Sequence, residues 1–256
     1  MNKHLIEAIK NNIRYDGRKN DEWRKIIIET GVVANAEGSA RVKFGDCEVI
    51  AGVKMSVGTP FGDRPDDGVL MVGAELTPMA NKMFETGPPS IEAIEISRVI
   101  DRGVRESHAI DLKSLCIEKG EKVWIINVDM VPINHAGNLI DIGAIAAIAA
   151  LKNAKIPELV DGQPDYKHQG KKSLSIKEEP IAVTVLRIGD ELIVDPTVEE
   201  EKFLAARLTV TLKTNGNLCS LQKGGDRPLS PEDIDKMLTL ATKKSKELRK
   251  ELVKVK

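Results

Sequence analysis

The sequence predicts an α+β protein built from two similar halves, each a group of strands followed by a helix. Three observations carry this expectation. Short apolar runs of alternating period come in pairs joined by two-residue turns, Gly45-Asp46 and Asn215-Gly216. Each group of strands is followed by a stretch of helical period. The chain has 256 residues, 41% of them apolar, enough for one large core or two small ones.

Residues 4–11 place Leu5, Ile6 and Ile9 on one side of a short helix, and Tyr15-Asp16-Gly17-Arg18 reads as a turn. Residues 23–30 are Ile-rich and strand-like. Residues 39–44 alternate through Ala40, Val42 and Phe44, turn at Gly45-Asp46, and resume as a strand over 47–57. This opening reads as an antiparallel meander, not as a βαβ start. Residues 58–68 form a polar loop with two prolines, 69–77 a further strand, and 81–89 a second loop. Ser90 is a good N-cap for a helix running to about Ser107, with Glu92 in its first turn and Ile91, Ile94 and Val99 on its apolar stripe.

Residues 121–131 read as a long buried strand. The turn from Asn134 to Asn138 leads to 142–152, which is apolar all round and therefore a central helix. Residues 166–179 are polar and read as an irregular connector. A second meander follows over 181–188, 191–195, 208–213 and 218–222. A terminal helix spans 231–253, with Ser230 as N-cap and Asp233 completing a capping box. Its core face should hold Ile234, Leu238, Ala241, Ser245, Leu248 and Leu252. The organisation is thus an N-terminal helical extension over 1–20, a first half over 21–165 and a second over 166–256.

Composition excludes several functions. Thirty-eight Lys and Arg nearly cancel thirty-nine Asp and Glu, so any nucleic-acid contact must come from a local basic patch. Aromatics are only 3%, which supplies an aromatic base-stacking platform poorly. Cys47, Cys116 and Cys219 are far apart and odd in number, as expected of free thiols in a reducing compartment. No CxxC or HExxH occurs, so no metal site is expected. The longest apolar run, 140–151, is broken by Asp141 and is too short for a bilayer. No secretory signal opens the sequence. A soluble, cytoplasmic chain without membrane contact is expected.

Three constellations could carry chemistry. Arg98, Arg102 and Arg105 recur at helical spacing, so their guanidinium forks share one stripe and could grip successive phosphates. Glu95, Asp101 and Glu106 sit three or four residues away and could pair with them instead. Glu199-Glu200-Glu201 could bind a divalent metal or supply an acid, or could be the first turn of a helix. His135-Ala136-Gly137-Asn138 lies at a strand-to-helix turn but lacks Lys, Arg, Ser and Thr. Asn138 as a cap and His135 as a packed loop residue is the plainer reading. No catalytic triad, Walker motif or GxGxxG is present.

The chain resembles the RNase PH-like proteins, the phosphorolytic 3′→5′ exoribonucleases and their exosome relatives. Four pieces carry the resemblance in order: Arg14-Tyr15-Asp16-Gly17-Arg18; Glu37-Gly38-Ser39-Ala40 to Gly45-Asp46; the helix from Glu95 to Arg105; and Asp195-Pro196-Thr197 followed by Ser220-Leu221-Gln222-Lys223-Gly224-Gly225. The loop from Val57 to Gly68 and the stretch Asn134 to Asp141 look like those of the larger, non-catalytic ring subunit of the archaeal exosome.

The resemblance implies an RNase PH-like fold of two pseudo-equivalent mixed sheet/helix halves with a ribosomal-protein-like βαβ core. It implies a heterodimer with a catalytic RNase PH-like paralogue, three dimers closing a hexameric ring, RNA-binding cap proteins on one face, and single-stranded RNA threading to the partner's site. Inorganic phosphate and Mg²⁺ would serve that site, and this chain would carry no cofactor and no catalytic residue of its own. Active members place Gly-Thr-Arg where this chain reads Gly137-Asn138-Leu139, and two Asp where it has Glu201 and Arg207. The arginine stripe, Arg98, Arg102 and Arg105, is the part that would contact RNA. Two other readings stay open: an autonomous phosphorolytic exoribonuclease using Glu199 to Glu201, and an RNA-binding module unrelated to degradation.

Overall fold

The computed structural model describes residues 2–168 and 170–254. Met1, Gln169, Val255 and Lys256, which the expected extension, connector and second half include, lie outside the described residues. Helix α1 (Asn2–Lys10) is followed by strands β1 (Ile26–Thr30), β2 (Gly38–Phe44) and β3 (Cys47–Gly58), which pair antiparallel in that order. Apolar residues on one face of β2 and β3 are buried and their neighbours are half-exposed, as an alternating pattern requires.

The expected meander stops there. β4 (Val69–Ala74) does not join β3. It lies beyond β6 (Lys122–Asn134), parallel to it, and the connection from β4 to β6 includes helix α2 (Ile91–Glu106). β6 pairs antiparallel with β3 on its other side. The first half therefore does contain a βαβ unit. A two-residue hairpin could only have placed β4 beside β3. The long polar loop after β3 lets the chain pass β6, and parallel pairing then demands a crossover. Short β5 (Cys116–Glu118) pairs with the start of β6.

Helix α3 (Leu139–Asn153) starts earlier than expected and is buried from Leu139 to Leu151. It packs between β2, β3 and β6 on one side and β11 (Ile181–Ile188) on the other, with α2 alongside. Its Ala and Gly residues permit that close approach. A Cβ at Gly143 would lie 2.1 Å from the Met130 sulfur. The stretch after α3 carries two-residue strands, β7 (Lys155–Ile156) with β10 (Lys172–Ser173) and β8 (Leu159–Val160) with β9 (Gln163–Pro164), of which β10 alone of the four lies within the expected connector over 166–179.

The second half is an antiparallel sheet in the order β12 (Glu191–Val194), β11, β13 (Ala206–Leu212), β14 (Leu218–Gly224). Helix α5 (Pro231–Val253) covers β11 and β13 and opens with the expected Ser230–Asp233 capping box. Its buried stripe is Met237, Ala241, Lys244, Ser245, Leu248 and Leu252. Ile234, expected in the core, is 36% exposed. Lys244 takes a buried position because its long stem packs while its ammonium reaches Glu247 at 2.8 Å. Leu5 and Ile9 of α1 bury against Leu186, Ile188 and Ile193, whereas Ile6 turns outward. Each such side chain contributes about 1.5–3 kcal/mol of burial.

Candidate nucleic-acid interface

The residues around 14–24 and 195–201 form one polar hub. The Asp195 carboxylate is fully buried and has a left-handed backbone, φ 48°. Its Oδ1 accepts from Arg24 Nη2 at 2.6 Å and from Asn138 Nδ2 at 3.1 Å. Its Oδ2 accepts from Arg18 Nη1 at 2.9 Å and from the Arg24 backbone N–H at 2.8 Å. Burial alone would raise this carboxyl. Hydrogen bonds from Arg24 and the Arg24 and Arg18 charges outweigh it and hold the group below its ordinary 3.8. Arg14, itself buried, pairs with Glu200 through two nitrogens and donates to the carbonyls of Val194 and Asp195. The Arg14–Arg18 motif is thus a clamp between the N-terminal segment and the second half, and its donors are consumed internally.

Glu199, Glu200 and Glu201 occupy helix α4 (Val198–Glu201), capped by Thr197 in a capping box with Glu200. Helical geometry sends them in three directions. Glu199 is exposed and pairs with Lys202 at 2.7 Å. Glu200 holds Arg14. Glu201 turns inward and accepts the Asn138 N–H at 2.8 Å, and burial pushes its carboxyl up to about 7. The three do not converge. Among the described residues no group of three or more His, Cys, Asp or Glu is arranged to hold a metal ion.

The turn before α3 departs from the expected cap. Asn138 occupies the N-cap position with left-handed geometry, φ 63°, and its side chain makes no capping bond because Asp195 takes it. His135 is packed, its ring stacked on Phe84 with centroids 5.3 Å apart. Burial, then the Arg24 charge, holds its pKa below the ordinary 6.5. Gly137 has φ 95°, and a Cβ there would lie 2.3 Å from the Pro196 carbonyl oxygen. Only glycine fits where this turn crosses the segment leading into α4.

Beside this turn is a cavity of about 180 Å³ lined by Glu92, Glu95, His135, Asn138, Glu201 and Arg207, among others. Arg207 is already paired with Glu95 at 2.5 Å. Burial raises the Glu92 carboxyl as well. The guanidinium lining this cavity is already committed to Glu95, so the lining offers a phosphate no free cation.

Ser90 caps α2 as expected, accepting from the Ala93 N–H. Along this helix the arginine stripe divides. Arg98 is exposed and, among the described residues, makes no hydrogen bond or ion pair. Arg102 is exposed and donates to Gln222 of β14 at 3.4 Å, and among the described residues it makes no ion pair. Arg105 is committed: Asp101 binds it at 2.7 and 3.1 Å, and its Nη2 donates to the Leu70 carbonyl of β4 at 2.8 Å. Asp101 is therefore the pairing acid on the stripe, while Glu95 turns to Arg207. Sequence reading missed the Asp195 hub altogether. Its arginines lie 171 and 177 residues from it, and the motifs holding Arg18 and Asp195 carry no sign that the two meet.

The 3′ exoribonuclease family matches this chain twice, its domain 1 over residues 22–157 and its domain 2 over residues 178–244. The chain belongs to the 3′ exoribonuclease family. Among its relatives in this family is the Exosome complex component Rrp42 of Methanocella arvoryzae, 46% identical over 262 residues and covering 98% of each chain. That of Methanothermobacter thermautotrophicus is 42% identical over 248 residues, covering 96% of this chain and 92% of the relative. A chain of the Archaeoglobus fulgidus exosome with RNA bound to the active site superposes with a TM-score of 0.91 at 42% identity, covering 97% of this chain and 96% of that one. A chain of an archaeal exosome core gives 0.86 at 39% identity, over 98% and 95%. The RNase PH fold expected from the resemblance is the fold of this family. Among the described residues no helix is long and apolar enough to cross a membrane.

Proposed function

We propose that this chain is a non-catalytic ring subunit of an archaeal-type exosome, acting in the cytoplasm. It pairs with a catalytic RNase PH-fold paralogue, and three such dimers close a hexameric ring that cap proteins cover on one face. It helps conduct single-stranded RNA to the partner's site, where inorganic phosphate and Mg²⁺ act. The observation that carries this reading is the contrast between two neighbouring surfaces. The cavity beside Gly137 and Asn138 holds three carboxyl groups around an already paired Arg207, which disfavours the bound phosphate that phosphorolysis needs. Arg98 and Arg102 project unneutralised from α2, as phosphate contacts require. Arg105 extends the stripe, with Asp101 fixing its orientation.

The test is phosphorolysis of end-labelled single-stranded RNA with inorganic phosphate and Mg²⁺, with and without the catalytic paralogue. Nucleoside diphosphates should form only when the paralogue is present, and faster than with the paralogue alone. Release by this chain alone would make it an autonomous exoribonuclease. Failure to associate with any RNase PH-fold paralogue would leave an RNA-binding module. In the assembled complex, Arg98→Glu or Arg102→Glu should weaken RNA binding and reduce the salt slope by about 1 each. Unchanged binding in both would remove the stripe as the contact.

A further inference from the structure

A second cavity lies apart from the turn at Asn138. A groove of about 810 Å³ opens at the N-terminal end of α2, between the end of β4, the 83–90 loop and the middle of β6. Its walls include apolar groups that water reaches: Ile91 is 88% exposed and Met83 is 77% exposed. One turn further along α2, Ile94 is 45% exposed. Scattered apolar side chains are ordinary on a surface, but exposed apolar side chains lining one groove mark an interaction site.

The charge of the groove selects the occupant. Its lining contains Glu75, Glu85, Glu92 and Asp129 and no Lys or Arg. Glu75, Glu85 and Asp129 are exposed, and among the described residues their side chains make no ion pair. Elsewhere Glu48 and Glu37 are neutralised by Lys43 and Lys54. An anionic strand such as RNA is repelled here, although the cationic Arg98 lies only two turns along the same helix.

We propose that this groove docks a basic segment of another protein chain, one that sets an aliphatic side chain between Met83 and Ile91 and Lys or Arg against the acidic rim. Helix α2 then serves two partners, its N-terminal turns a protein segment and its exposed arginines a polyanion. The inference does not depend on the RNA reading, because the groove's charge and exposure stand without it.

The test uses the full chain labelled at its methionine methyl groups and a short peptide alternating Lys with Leu. Two control peptides replace Lys by Glu or Leu by Ser. The Lys–Leu peptide should shift the Met83 signal and leave the buried Met237 unmoved. Its affinity should fall by about tenfold or more in the double variant Glu85→Lys/Asp129→Lys, and equally in Met83→Ser/Ile91→Ser, and both controls should bind at least about tenfold more weakly. All four sites are exposed, so the variants should keep the parent's circular dichroism and melting. Unchanged affinity in both variants overturns the proposal, as do shifts confined to other methyl groups or equal binding of the Lys–Ser peptide. A Met83 signal that moves with protein concentration alone assigns the groove to a second copy of this chain and overturns it too.

Discussion

Asp195 shows how much one carboxylate can organise. It receives Arg18, Arg24 and Asn138 at full burial, joining the N-terminal segment to both halves. Removing one partner of such a group leaves the others buried and uncompensated. Asp195→Asn should therefore cost about 3–5 kcal/mol in urea unfolding. A cost under about 1 kcal/mol would mean that backbone carbonyls suffice for the arginines. Glu201 has the opposite sign. Its carboxyl stands at about 7 in the folded chain against an ordinary 4.5, so the folded state binds the extra proton. Its contribution is fully present below about pH 4.5 and is lost as pH rises through about 7. Glu201→Gln keeps an acceptor for the Asn138 N–H and removes this titration. The variant should lose on the order of 2 kcal/mol less stability than the parent between about pH 5 and pH 7.5. Equal losses would place the titration elsewhere, with buried Asp141, also pushed up to about 7, the next group to change.

At the scale of single elements, α2 separates binding from support. Among the described residues Arg98 makes no hydrogen bond or ion pair, whereas Arg105 ties the helix to Asp101 and to the β4 backbone. Arg98→Ala should leave the melting temperature within about 1–2 °C while weakening RNA binding. Arg105→Ala should cost about 1 kcal/mol of stability, a modest value because its side chain is 34% exposed. Thermal melts beside binding isotherms distinguish the two, and identical melts would deny the tie. The turn from β6 to α3 has a different constraint. Gly137→Ala adds a Cβ against the Pro196 carbonyl at positive φ and should destabilise by about 2–4 kcal/mol. A variant as stable as the parent would show that this segment shifts freely.

Across the whole molecule the halves share one interior. A single buried cluster runs from Ala40 in β2 to Leu252 in α5, and α3 supplies its middle. Helix α3 packs on both sheets, against β2, β3 and β6 of the first and β11 of the second. Calorimetry should accordingly give one transition with matching calorimetric and van't Hoff enthalpies. Two separable transitions would mean that α3 stays with one half when the other opens.

Much of this fold was legible without coordinates. The terminal helix 231–253, its capping box, the hairpin turns at Gly45-Asp46 and Asn215-Gly216, and the burial of α3 on all sides follow from period and local chemistry. Those depend on neighbours a few residues away, which a sequence displays directly. The residues of the arginine stripe were legible for the same reason, because helical spacing alone aligns them. What a side chain meets across the fold was not. The parallel seat of β4 beside β6, the parting of Glu199, Glu200 and Glu201, the diversion of Asn138 from capping to Asp195, and the capture of Arg105 by β4 all depend on partners distant in sequence. Pairing energies of that kind depend on distance and burial, and neither exists until the chain has closed on itself. Residue type and spacing alone set most of what is helical, extended or charged. Which of those charges are consumed inside the fold and which, Arg98 and Arg102 among them, face outward is set by long-range packing, because the partners meet only once the chain has closed.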